Sequence, residues 1–233
     1  MYILTNLELV WTVFKLNKFF LFLIYFLFFS NYSFSHSGEI SGFYDGLTHP
    51  VLGFDHFIAM LSVGIVSTQK GGKYIWFYPM IFVIGIIFGI IISFIFQIPM
   101  FGRNFDNILF EILQNNPEII YYIIEFGIAF SVFFLGLLIF FKEKFKERLF
   151  IITFIVFGVS HGAAHGIAIP YVLSPYLFVI GFLTGSIVIH IIGIGFTVFN
   201  NLLLKRLNIL TYIGFLVSLY GLLLIIKNIM MFI

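Results

Sequence analysis

The sequence predicts an all-α, polytopic membrane protein: a six-transmembrane-helix bundle following an N-terminal signal peptide. Three observations carry that expectation. Hydrophobic residues make up 61% of the 233 and charged residues only 9%, too few polar groups to cover a water-soluble domain of this length. Mean hydropathy is +1.13. Apolar runs of about 18 residues or more recur along the chain, and each is long enough to cross the hydrocarbon core as a helix. No segment shows the apolar–polar alternation of a transmembrane strand, so a barrel is excluded.

Composition also removes several function classes. A net charge of +2 is too small to attract nucleic acid. With no cysteine there is neither a disulfide nor a thiolate metal site. There is no glycine-rich nucleotide loop and no soluble domain to hold a nucleotide, so an ATP-driven step would need another subunit. The 35 phenylalanines follow the overall composition and define no aromatic site.

The elements follow in order. Lys15 and Lys18 precede an apolar run from Phe19 to Phe29. Ser33 and Ser35 then suit the small-residue positions of a cleavage site, so residues 1–35 are expected to be a signal peptide that is removed, leaving His36 first in a domain of residues 36–233. Six spans are expected over roughly 50–68, 75–97, 119–141, 149–170, 176–199 and 207–226. Pro50 suits the first turn of span one, where its missing N–H is not needed. Gly85/Gly89, Gly162/Gly166 and Gly181/Gly185 have the spacing that lets helix backbones approach in lipid. Pro170 and Pro175 bound a short turn that makes spans four and five an antiparallel hairpin.

Charge sets the orientation. Lys70, Lys73, Lys142, Lys144, Lys146, Arg148, Lys205 and Arg206 fall in one set of loops, whereas the opposite set has only Arg103 and Lys227. The basic set belongs on the cytoplasmic side. The mature N terminus is then outside, in agreement with a secretory signal, and the expected location is the inner membrane.

Against this apolar background a few ionisable residues stand out, and such residues inside a membrane are expensive and usually functional. Span one opens with His49, Asp55 and His56. His49 and His56 are seven residues apart, two turns of a continuous helix, so both fall on one face. Asp55 lies about 120° around that helix, either as a ligand from another side or as a partner fixing an imidazole tautomer. Span four carries His161 and His165, an i, i+4 pair able to share a metal ion. The glycine after each, Gly162 and Gly166, thins the helix so that a neighbour can approach. The plainer account of each pair, an interfacial turn or histidines bonded to backbone and hydroxyls, explains one motif at a time but not both together. Weaker candidates for a metal or proton path are Glu125 in span three, His190 in span five and the terminal His36. Imidazole and carboxylate without thiolate suit an intermediate divalent ion such as Ni²⁺, Co²⁺, Zn²⁺ or Cu²⁺. The expected path has two stations, with capture outside at His49, Asp55 and His56 and transfer inward to His161 and His165.

Both motifs resemble the HupE/UreJ family of hydrogenase and urease accessory membrane proteins. The segment His49-Pro50-Val51-Leu52-Gly53-Phe54-Asp55-His56 matches every fixed position of the pattern H-P-x-x-G-x-D-H. The segment from His161 to Pro170 matches H-G-x-A-H-G-x-E-x-P at every fixed position but one, where Ala168 stands in place of the glutamate. That removes one carboxylate and leaves Glu125 as its candidate substitute. The resemblance implies a nickel or cobalt permease supplying metalloenzyme maturation, with His49, Asp55, His56, His161 and His165 serving transport. It implies the ion as transported substrate with no resident cofactor, and a homo-oligomer or metallochaperone as partner. Two alternatives have less support. An intramembrane metal-dependent enzyme lacks the H-E-x-x-H general base, and a non-transporting metal-sensing or assembly subunit has no need of ligands at several depths.

Overall fold

A computed structural model describes residues 42–97, 117–141, 145–168, 174–204 and 208–232. The expected signal peptide, His36, Arg103 and most of the turn between spans four and five lie outside the described residues.

The described chain is helical throughout its ordered elements. In order these are α1 (Phe43–Leu52), α2 (Phe54–Lys70), α3 (Tyr74–Gln97), α4 (Pro117–Phe141), α5 (Glu147–Ala168), α6 (Pro175–Phe199) and α7 (Ile209–Phe232). A π turn, Asn200–Leu204, extends α6. Helices α3 to α7 are each long and apolar enough to cross a membrane, and the bent pair α1–α2 supplies a sixth crossing when counted as one span. The protein is a multi-pass α-helical membrane protein.

Helices α3, α4 and α6 begin and end within two residues of the expected spans two, three and five, because the apolar runs are bounded by residues that stop or start helices. Gly71 and Gly72 adopt positive φ (75° and 56°), and that conformation turns the chain tightly from α2 into α3. Pro175 occupies the first turn of α6. Helix α7 runs past the expected end, so Lys227 sits within the helix rather than beyond it.

Span one is the correction. It is not one helix over 50–68: α1 and α2 meet at Gly53 with an 86° bend. Gly53 has extended backbone (φ −85°, ψ 105°), which breaks the helical hydrogen-bond ladder. Pro50 lies near the end of α1, not in the first turn of the span. The two-turn alignment of His49 with His56 therefore does not exist, since the residues sit on different helices.

Packing follows the logic of a bilayer, where lipid is as apolar as leucine and helices associate through close backbone approach. On α6 the outward residues are Ile180, Ile187, Val188 and Ile191, all exposed, while Gly181, Gly185, Ser186, His190 and Gly193 are buried. Helix α3 lies along α5, and α4 along α7, while α2 sits centrally against α3, α4 and α6. A Cβ added at Gly85, Gly89, Gly158 or Gly162 would run into the backbone of the facing helix across the α3–α5 contact. Gly181 and Gly185 do the same against Phe43 and Leu47 of α1. The expected hairpin of spans four and five is also corrected: α5 packs on α3 and α4, α6 on α1 and α2. Their side chains meet through His165 and Phe182, with ring centroids 4.2 Å apart.

Candidate metal-binding site

The bend at Gly53 builds the site. It swings α1 against α6 and leaves the first turn of α2 facing α5. His49, from α1, then meets His165, from α5, with ring centroids 4.8 Å apart. His56, from α2, touches His165 at 4.6 Å and His161 at 5.1 Å. Four imidazoles from three helices thus form one cluster. The expected two stations at different depths collapse into one. Both His56 and His161 lie 14 residues from the basic end of their helix (Lys70 and Glu147), about 21 Å along the axis, so they sit at the same level.

Burial is graded. His49 is half-buried and the Asp55 side chain is 24% exposed. His161 is fully buried and His165 nearly so. The side walls are aromatic: Phe178 and Phe182 pack on His49, and Phe82 on His161.

The hydrogen bonds set the tautomers. Asp55 Oδ1 accepts from His56 Nδ1 at 2.9 Å and from the His56 backbone N–H at 2.9 Å. Phe157 O accepts from His161 Nδ1 at 2.8 Å. A carboxylate and a carbonyl can only accept, so both Nδ1 atoms carry the proton. In neutral imidazoles the lone pair is then on Nε2. The Nε2 atoms of His56, His161 and His165 are all buried without a hydrogen-bond partner among the described residues. Four buried hydroxyls in the same bundle behave differently, although those of Tyr78 and Ser218 are likewise unpartnered among the described residues. Ser67, Ser93, Ser186 and Thr197 each donate to a carbonyl one turn back in their own helix, the usual way a polar side chain is satisfied in lipid.

An unpartnered buried nitrogen costs roughly 1–3 kcal/mol, and three at one place leave three lone pairs open to a hydrogen-bond donor or a metal ion. The donor set fits a divalent transition metal. Metal-bound imidazoles commonly donate their second N–H to a carboxylate or backbone carbonyl, as His56 and His161 do here. The rings meet edge to face, however, and among the described residues no three histidine or carboxylate groups are arranged to hold an ion as they stand. Coordination requires the rings to rotate until their Nε2 atoms converge.

The remaining candidates have distinct positions. Asp55 partners an imidazole, the second of the two roles open to it. Glu125 is half-buried on α4, two residues before Gly127, which faces Ser160 beside His161. His190 is buried on α6 and touches Phe82 but, among the described residues, no other histidine ring. Ala168 is the last residue of α5. Phe82 and the carbonyl of Phe157 went unrecognised in the sequence, where nothing distinguishes them from thirty-three other phenylalanines.

Comparison with known proteins agrees with this architecture. The family described as HupE / UreJ protein matches residues 24–101 and 118–224, a range that takes in both histidine motifs. Protein HupE of Rhizobium leguminosarum bv. viciae is 30% identical over 151 residues, which is 64% of this chain and 67% of that protein. No solved structure matches. With most of its length matched and the residues of both motifs gathered into one buried cluster, the chain belongs to the HupE/UreJ family.

Proposed function

We propose that the protein is a permease that admits a divalent transition-metal ion through the inner membrane, Ni²⁺ first and Co²⁺ next, for the maturation of metalloenzymes. It moves an ion and transforms no substrate. The observation that carries this reading is the cluster of three buried, unpartnered Nε2 atoms on His56, His161 and His165, two of them held in the ligating tautomer by Asp55 and Phe157.

Further features support it. Imidazole nitrogen without sulfur favours Ni²⁺ and Co²⁺ over Cu⁺. Helices broken at membrane depth are the usual setting for ion sites in transporters, and the break at Gly53 lies beside the cluster. Half-buried His49 and Asp55 give the ion an entrance from one face. A site whose rings must turn to bind, and can turn back, suits an ion that has to leave again.

Radiometal uptake into proteoliposomes, with Ni²⁺, Co²⁺ and Zn²⁺ in competition, tests the proposal. Wild-type protein is expected to accumulate Ni²⁺, and His56→Ala to reduce the initial rate to the protein-free background. Equal uptake by the two sinks the proposal.

A further inference from the structure

We propose that His190 is a second station for the transported ion, about one helical turn deeper than the cluster and separated from it by the ring of Phe82. The inference rests on the permease reading and adds the next step of the path.

The depth comes from backbone contacts. Helices α2 and α6 run in the same direction through the bundle. Gly64 of α2 abuts the carbonyl of His190 and the amide of Ile194, while Gly193 abuts Leu61 and Gly64. That register sets His190 closer to the basic end than His56 by ~6 Å. Its side chain leans toward the N terminus of α6, as helical side chains do, and so back toward the cluster.

The chemistry comes from what His190 lacks. It is 1% exposed, and neither ring nitrogen has a hydrogen-bond partner among the described residues. A buried helical imidazole can donate to the carbonyl one turn back, as His161 does to Phe157, and His190 makes no such bond. Phe82, itself fully buried, touches His161 at 5.4 Å and His190 edge-on at 5.5 Å. Its ring is therefore what an ion moving from His161 to His190 must pass.

The same face of α6 is polar on both sides of His190. Ser186, His190, Thr197 and Asn200 are all buried, at spacings of four, seven and three residues that keep them on one side of the helix. Ser186 and Thr197 spend their protons on the carbonyls of Phe182 and Gly193 and keep oxygen lone pairs for a cation. Asn200 Oδ1 is buried without a partner among the described residues. One imidazole backed by hydroxyl oxygens binds a dication more weakly than a four-histidine cluster. A deeper, weaker station keeps an ion moving, because it accepts the ion without trapping it.

The test separates binding from passage. Purified wild type and His190→Gln are compared for equilibrium Ni²⁺ affinity by calorimetry, for thermal unfolding in detergent, and for Ni²⁺ uptake in proteoliposomes with and without an imposed pH gradient. His190→Gln is expected to keep Ni²⁺ affinity within about twofold and its unfolding temperature, and to lose at least tenfold in initial uptake under both conditions. Uptake at the wild-type rate overturns the proposal. So does a parallel loss of affinity or folding, which marks a structural residue, and so does a defect confined to the imposed gradient, which marks a proton acceptor. If wild type itself neither binds nor accumulates Ni²⁺, it is the permease reading that has failed.

Discussion

At the scale of single residues, the Asp55–His56 pair is the most informative contact. One carboxylate oxygen accepts from the His56 amide in the first turn of α2 and also holds the His56 ring in the tautomer that exposes Nε2. Asp55→Asn keeps an acceptor oxygen but removes the negative charge beside the ring. Losing such a partner usually weakens metal binding about 10- to 100-fold. Calorimetry with Ni²⁺ should show a drop of that size with the helices intact, and an unchanged affinity would place Asp55 outside the site. The identities of these residues were legible in the sequence, because ionisable groups in apolar runs stand out. Their mutual contacts were not, and the role of Phe157 could not be, since it acts through a backbone carbonyl that every residue possesses.

At the scale of elements, Gly53 and the glycines of α3 and α5 do different work. Gly53 has negative φ, so alanine fits its backbone. An added Cβ would nevertheless sit 3.0 Å from His56 Nδ1 and 3.3 Å from Asp55 Oδ1, tight enough to push the pair apart. Gly53→Ala should lower Ni²⁺ uptake severalfold while leaving the unfolding temperature unchanged. A fall in unfolding temperature with normal uptake would show the opposite division of labour. Gly162 faces the Ile86 carbonyl, and a methyl group there overlaps it. Gly162→Ala should separate α3 from α5 and cost about 1–3 kcal/mol, the usual penalty of overpacking, seen as earlier unfolding in detergent. Periodicity located these helices well, because a lipid-facing run is long and apolar. It missed the bend, since a helix template assigns His49 and His56 to one face whether or not the ladder continues through Gly53.

At the scale of the molecule, all the described helix ends flanked by Lys70, Lys73, Lys146 and Arg148 lie at one end of the bundle, about 21 Å from the four-histidine cluster. With no native cysteine, single cysteines report orientation directly. In intact cells, a cysteine at Lys73 or Lys146 should resist an impermeant maleimide, whereas one at Ser174 should react. The reverse pattern would invert the topology. Moving a dication through 100 mV releases about 4.6 kcal/mol, so a diffusion potential negative inside should accelerate uptake steeply. Uptake indifferent to the potential would point to electroneutral exchange.

The sequence by itself determined the class and the cast. Length and hydropathy demand membrane-spanning helices because lipid leaves no backbone group unsatisfied, and motif spacing singled out His49, Asp55, His56, His161 and His165. Only the tertiary structure decided that these residues form one cluster, and that His49 reaches it from a separate helix. That decision belongs to interhelix contacts between segments more than a hundred residues apart, where small residues let backbones close in and the 86° bend at Gly53 turns a linear motif into a pocket. No pattern along the chain encodes which buried nitrogens are left facing one another.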